Sequence, residues 1–297
     1  SSGPRSSCTD GTGCGRCPAA PECMTVRVRE VAVKSALTRS RILPYCVNPY
    51  AGCSHACAYC YARFATRFSH PGEPWGSFVD VRVNAPEVLE RELVRARPDT
   101  VFVSSVCDAW QELEAKYRVT RRCLEQLLGA GFPLYLQTKS ILVERDFDLL
   151  EKHADVELGF KVTTVETDAA RLFEPGASAP LERLRVLREA RNLGVRTFAF
   201  LGPLLPGVSD RGEGLRRLFE AVAEVRPDSL FVDRLNRRSG MWPAVQAAAS
   251  ALCAGLIPEY RRVLFSAECG VYESELRARV ADVAVASGLS DRIHWCF

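Results

Sequence analysis

Residues Asn48 to Arg63 read NPYAGCSHACAYCYAR, and the three cysteines in that stretch, Cys53, Cys57 and Cys60, decide how the rest of the chain is read. Three thiolates at this spacing can take three irons of a four-iron cubane and leave the fourth iron without a protein ligand. An iron left open in this way is reactive. A ferredoxin-type or zinc site would close its shell with a fourth donor. With 13 Cys in 297 residues, chance supplies only about 0.02 such triplets, so the pattern calls for a chemical reading. Two plainer ones stand beside it: a zinc knuckle completed by His55 or Cys46, or a set of buried thiols.

Composition sets the frame around this motif. A chain with 47% hydrophobic residues can supply a sizeable core, and one α/β barrel is the economical architecture for its length. No apolar run approaches the length of a membrane span, and the opening SSGPRSSC lacks the apolar segment of a signal peptide. The expectation is a soluble, cytoplasmic protein without a membrane partner. Cytosolic thiols stay reduced, so the odd total of 13 Cys points to metal and not to disulfides. A net charge of +3 is too small to argue for nucleic acid by itself. Its distribution is more informative: Arg27, Arg29, Lys34, Arg39, Arg41, Arg63 and Arg67 face only Glu30 between Met24 and Gly72. Such a segment is either a solvated face or a surface for an anionic substrate or an acidic electron donor.

Upstream, residues 1–25 are rich in Gly, Pro, Ser and Cys, with no apolar period. Cys8, Cys14, Cys17 and Cys23 form C-x5-C-x2-C-x5-C. This set reads as the ligands of an auxiliary iron-sulfur cluster, with zinc or a disordered extension as alternatives. Val26 to Val33 alternates apolar and charged residues like a half-buried strand leading into the barrel. Short apolar runs then alternate with helical segments. Strands are expected over 44–52, 100–106, 133–138, 156–163, 195–201 and 229–232; helices over 58–68, 85–95, 118–129, 145–152, 181–192 and 214–225. Six βα units give a partial (β/α)6 barrel over 26–240, with an open doubly wound sheet as the alternative. Helices at 243–253 and 272–286 would form a cover over 241–297.

CxxxCxxC with Tyr59 before the last Cys, the flanking words NPYAGC and YCYAR, and the later words CDAWQ, TKS, FEP and LLPG together resemble the radical SAM superfamily in its spore photoproduct lyase-like branch. The resemblance covers most of residues 26–240. It implies a partial TIM barrel and a site-differentiated 4Fe-4S cluster on Cys53, Cys57 and Cys60. It also implies S-adenosylmethionine, cleaved by one electron to a 5'-deoxyadenosyl radical, and a flavodoxin or ferredoxin as electron donor. By position, Tyr59, Ser105, Lys139, Lys161, Thr163, Gly202 and Pro203 fall to the cofactors. Gly202 and Pro203 open the FLGPLLPG turn, which passes the adenine in that family.

Chemistry in parallel α/β folds gathers at the carboxyl ends of strands, and there the resemblance adds candidates for substrate: Asp108, Trp110, Glu174, Arg234, Arg237 and Arg238. In the lyase a Cys near the second strand end returns a hydrogen atom to the product. Ser105 stands at that place here, and Cys107 lies two residues on, on the same strand face. Cys107 is therefore either the hydrogen donor or a buried thiol. The lyase resemblance and the Arg-rich mouth point to a nucleic acid substrate for repair or base modification. The extra N-terminal Cys set and the Ser105 departure point instead to radical modification of a small molecule or peptide. A noncatalytic iron-sulfur or zinc module is the reading of another class.

Overall fold

The computed structural model describes residues 25–297, so Cys8, Cys14, Cys17 and Cys23, read as ligands of an auxiliary cluster, lie outside the described residues. The strands are β1 (Arg27–Val31), β2 (Leu37–Arg39), β3 (Tyr45–Val47), β4 (Tyr50–Ala51), β5 (Phe78–Arg82), β6 (Val101–Val103), β7 (Leu134–Thr138), β8 (Val156–Lys161), β9 (Arg196–Leu204), β10 (Ser229–Arg234) and β11 (Ile293–Trp295). They form an eight-stranded sheet in the order β11-β10-β9-β8-β7-β6-β3-β2 and a three-stranded sheet β1-β5-β4. From β3 through β6 to β11 every pairing in the larger sheet is parallel; β2 alone runs antiparallel, on the β3 edge. Each expected strand lies at or within a few residues of an observed one, and the sheet is the six-stranded partial barrel with one further strand at each edge.

Alternate residues on these strands face opposite ways. Leu134, Leu136, Leu158 and Leu201 are fully or almost fully buried in the main core, whereas Phe102, Tyr135, Gln137, Lys139, Lys161, Phe200, Gly202 and Asp233 line a cavity inside the barrel. An aromatic row runs across the strands, from Phe102 to Tyr135 (centroids 5.4 Å apart), Phe198 (4.5 Å), Phe231 (5.5 Å) and His294 (5.0 Å). On β8, between Tyr135 and Phe198, the chain has Gly159, where any Cβ would overlap the Phe198 ring. Without that glycine the row could not stack.

Three expectations are corrected. β1 does not lead into the barrel; it pairs parallel with β5 in the smaller sheet, because its side chains are mostly exposed and Arg29 instead grips Asp80 of β5 through two hydrogen bonds of 2.7 and 2.9 Å. The helix expected over 58–68 is a 3-10 segment, Tyr61–Thr66, since the cysteine loop occupies the chain up to Cys60. After Cys269–Ala286 the chain re-enters the sheet as β11, parallel to β10. Two helices, Thr167–Phe173 and Ile257–Phe265, had no clear sequence signal.

Trp242–Leu252 and Ile257–Phe265 pack behind the cysteine loop, where Met241, Val245 and Tyr260 share a buried cluster with Cys57, Ala58 and Tyr59. Fully burying side chains of this size stabilises by about 1.5–3 kcal/mol each, which fixes the loop from its rear. No helix among the described residues is long and apolar enough to cross a membrane.

Candidate active site

The loop carrying Cys53, Cys57 and Cys60 is shaped by its neighbours. Gly52, at φ +88°, starts it; a side chain there would collide with the Phe78 carbonyl and ring, so β5 sets how close the loop can lie. Buried Gln111 clamps it, accepting from the Ser54 amide at 2.8 Å and donating to the Gly52 carbonyl at 3.4 Å. On the far side Ala58 N donates to Phe173 O (2.9 Å) and Gly176 N to His55 O (3.1 Å). Within the loop, bonds from Ala56 N to Cys53 O and from Cys60 N to Cys57 O close two turns.

All three thiols open onto one cavity of about 80 Å3, together with His55, Ser105, Cys107, Lys139 and Lys161. Burial pushes each of them up, Cys57 to about 11 even with the Lys139 ammonium beside it. Thiolates in such a place need cationic partners. Lys139 Nζ, 3.5 Å from Cys57 Sγ, gives one positive charge. Three buried thiols around a shared space suit a thiolate-held iron-sulfur cluster that supplies the rest. Among the described residues no three His, Cys, Asp or Glu stand close enough to hold a single metal ion. The zinc alternative loses its fourth ligands as well: His55 Nδ1 faces Asp108 at 3.4 Å, and Cys46 Sγ lies 3.0 Å from Ser105 Oγ and 3.2 Å from Asn48 Nδ2.

Asn48 escaped the sequence reading. Its Oδ1 accepts from the amides of both Ser105 and Val106 at 3.0 Å, tying the end of β3 to the end of β6. Its signal was position: two residues beyond Cys46, it continues the inward face of the strand.

At the ends of β7 and β8 a buried ionic group gathers. Glu174 receives Arg183 Nη2 at 2.6 Å and Thr163 Oγ1 at 2.7 Å, has Lys139 Nζ at 3.8 Å, and accepts from the Tyr59 hydroxyl. Burial raises its carboxyl, but Arg183, Lys139 and the two hydroxyls outweigh that and hold it near about 2. Arg183 also donates to the carbonyls of Ser178 (2.7 Å) and Lys161 (2.9 Å). Burial pulls Lys139 down; its neighbours Cys57, Tyr59 and Glu174 more than reverse it, and the Glu174 carboxylate at 3.8 Å is the one of the three that carries charge at neutral pH. Lys161, 4.6 Å over the Phe200 ring, goes the other way: burial and the charge of Lys139 lower it to about 8.

A larger cavity of about 370 Å3 continues from Cys57, Cys60 and Tyr61 past Lys139 and Lys161 to Gly202, Pro203, Asp233, Arg234, Asn236 and Arg238, with Phe102, Tyr135 and Phe200 as apolar wall. Tyr61 and Lys161 face both spaces. A more voluminous hollow, about 1040 Å3, is a groove elsewhere, lined by residues of 212–225 and 269–286; no sequence-expected site residue reaches it.

Not every expected substrate residue reaches the cavity. Trp110 is wholly buried and donates its indole N–H to Asp146 at 2.8 Å, so it packs the core. Asp108 borders the smaller space, but its carboxylate accepts from Trp110 N (2.9 Å), Thr138 Oγ1 (2.7 Å) and Lys139 N (2.8 Å) and joins β6 to β7. Glu174 and Thr163 are spent on each other and on Tyr59. Arg237 turns away and lies over Phe265, 4.9 Å from its centroid. Arg234 borders the cavity while pairing with Glu273 at 2.6 Å, and Arg238 borders it exposed. Cys107 opens on the smaller space 3.2 Å from Ser104 Oγ, and burial pushes its thiol up to about 12. At neutral pH it keeps its S–H.

Comparison with known proteins accords with this geometry. The radical SAM superfamily model matches residues 47–219. The chain is 30% identical over 187 residues to the protein MJ0683 of Methanocaldococcus jannaschii, covering 62% of this chain and 70% of that one. It is 25% identical over 200 residues to the radical SAM Nalpha-GlyT isomerase of Pseudomonas phage M6, covering 67% and 41% respectively. Among solved structures, a spore photoproduct lyase mutant superposes with a TM-score of 0.64 at 13% identity, over 91% of this chain and 82% of the lyase. The lyase complexed with dinucleoside spore photoproduct gives 0.59 at 15%, over 75% of this chain and 66% of that one. The likeness to the lyase is one of fold. With its cysteine loop inside the matched segment, the chain belongs to the radical SAM superfamily and is an enzyme of that class.

Proposed function

We propose that this enzyme acts on a nucleobase within a nucleic acid, as a repair or base-modifying enzyme. The observation that carries the reading is the cavity of about 370 Å3 that begins at Cys57 and Cys60, has aromatic walls, and ends among Asp233, Arg234, Asn236 and Arg238. Aromatic rings stack any base, the carboxylate and amide can meet a base edge, and an exposed Arg fork suits a phosphate. The dinucleoside bound by the lyase of like fold supports the same class of substrate.

Cys53, Cys57 and Cys60 would hold the 4Fe-4S cluster. Lys139, Lys161 and the Gly202–Pro203 turn would bind S-adenosylmethionine, with Ser105 and Tyr59 at its border. When bound, the two groups would supply one-electron cleavage of the cofactor and radical hydrogen abstraction from the substrate. The protein's own part is orientation and exclusion of water: Glu174 fixes Tyr59 and Lys139, and Asn48 fixes the Ser105 turn. Cys107, protonated and open to the cluster-side space, is the candidate hydrogen donor in the closing step.

The test is anaerobic reconstitution followed by chromatography for 5'-deoxyadenosine, with and without DNA or RNA oligonucleotides. Stimulation by an oligonucleotide, with an affinity that falls steeply with salt, is expected. Cleavage stimulated only by peptides or small molecules would transfer the assignment to the alternative substrate class.

A further inference from the structure

The proposed reaction needs one electron delivered from outside for each cleavage of the cofactor. The electron has the shortest way in where the surface lies nearest the cysteine loop. Cys60 is the residue from which the 3-10 segment Tyr61–Thr66 springs, and this turn leaves large apolar groups in water: Phe64 is 54% and Phe68 85% exposed. Tyr61 stacks on Phe64 at 6.3 Å and shares the cavity rim with Ile42, itself 61% exposed. Exposed apolar groups, Tyr61, Phe64 and Phe68 on one turn with Ile42 at the rim, therefore form a strip beside the cysteine loop. Arg63 binds it to that loop, donating to the Ala58 carbonyl at 3.1 Å.

The strip is set in positive charge. Arg41, Arg63 and Arg67 have no carboxylate partner among the described residues, and Arg67 lies over the Phe68 ring at 4.5 Å. The neighbouring acids are engaged: Glu30 accepts from the Tyr117 hydroxyl, and Glu73 pairs with Arg27 and His70. Exposed apolar groups flanked by the exposed Arg41 and Arg67 mark an interaction surface, and the charge selects an acidic partner.

Resting on the catalytic reading proposed for the cysteine loop, we infer that the turn Tyr61–Phe68, with Arg41 and Ile42 across the rim, is the docking surface for a small acidic one-electron carrier protein. In that step the carrier would be oxidised by one electron and a cluster held by Cys53, Cys57 and Cys60 would be reduced by it, with no bond formed or broken. Complexes of this kind bury little area and depend strongly on salt.

The experiment compares the wild type with F64S, F68E and R67E. Binding of a purified flavodoxin is titrated against the unloaded chain at two salt concentrations, and 5'-deoxyadenosine release from the reconstituted enzyme is measured with reduced flavodoxin and with dithionite. The expected result is at least tenfold weaker flavodoxin binding and flavodoxin-driven turnover, with unchanged melting curves and dithionite-driven rates. R41E, on a separate hairpin, should show the same loss, so a folding defect in one turn variant does not decide the matter. Wild-type flavodoxin affinity in the variants overturns the inference. So does loss of oligonucleotide binding with flavodoxin binding retained, which gives the strip to nucleic acid. Failure of dithionite to drive cleavage in the wild type would sink the catalytic reading instead, while the titrations still decide the surface.

Discussion

Replacing Glu174 by Gln tests the ionic group behind the cysteine loop. The carboxylate is buried and bonded to Arg183 at 2.6 Å, and Arg183 is itself 1% exposed. Removing one partner of such a pair leaves an uncompensated buried charge, a loss of about 3–5 kcal/mol. A second route gives a similar figure. The Glu174 carboxyl is lowered from its ordinary value of 4.5 to about 2, and at 1.36 kcal/mol for each tenfold in proton affinity the carboxylate contributes roughly 3 kcal/mol to folding. Because the folded-state value is the depressed one, this stability is present above about pH 4.5 and is lost as the pH falls toward about 2. In a chain of this size, about 3 kcal/mol corresponds to a melting shift of roughly 6–12 °C. The assay is a series of thermal melts of metal-free wild type and Glu174→Gln from pH 7 to pH 2.5. The deficit of the variant should be full at pH 7 and should shrink below pH 4.5 as the wild type protonates. Glu213→Gln, in an exposed pair with Arg216, serves as control and should leave the melting temperature nearly unchanged, because solvent screens such a pair. A Glu174→Gln deficit no larger than the control's, or one that does not change with pH, would refute the assigned ion pair.

Four further outcomes are expected. Cys53→Ala, Cys57→Ala and Cys60→Ala should each abolish 5'-deoxyadenosine formation; iron loss without loss of cleavage would place the radical cluster elsewhere. Iron analysis of the reconstituted full chain should give about eight irons if Cys8, Cys14, Cys17 and Cys23 hold a second cubane, whereas four irons with one zinc would assign them to zinc. Cys107→Ala should lower product yield and divert the substrate radical to other products, with cofactor cleavage retained; an unchanged product distribution would remove Cys107 from the reaction. Gln111→Ala unties Ser54 and Gly52 and should destabilise by about 1–3 kcal/mol, with faster iron release to a chelator as the readout specific to the loop.

The barrel was legible because its strands obey two local rules at once. Outward positions such as Leu134, Leu136 and Leu158 are apolar, and the inward face turns polar where the strands reach the mouth, at Gln137, Lys139, Lys161 and Asp233. What local pattern does not carry is pairing across long stretches of chain. β1 reads as a strand whichever sheet receives it, and its choice of β5 rests on Arg29 finding Asp80, 51 residues away. The same limit applies in the site. Asp108 and Glu174 look like free carboxylates in a line of letters, yet the strand ends converge and consume both in hydrogen bonds. Trp110 and Arg237 were placed by sequence neighbourhood, and the fold turns one into the core and the other onto Phe265.

The cysteine loop is gripped from three separate parts of the fold: by Gln111 after β6, by the Phe173–Gly176 turn after β8, and by Phe78 of β5 beneath Gly52. None of these grips involves a sulfur atom. Loss of iron to oxygen would therefore leave an empty seat in a folded chain and not a collapsed segment. A chain damaged in this way would stay open to refilling without passing through unfolding, and the inorganic part would then be replaceable during the life of the polypeptide.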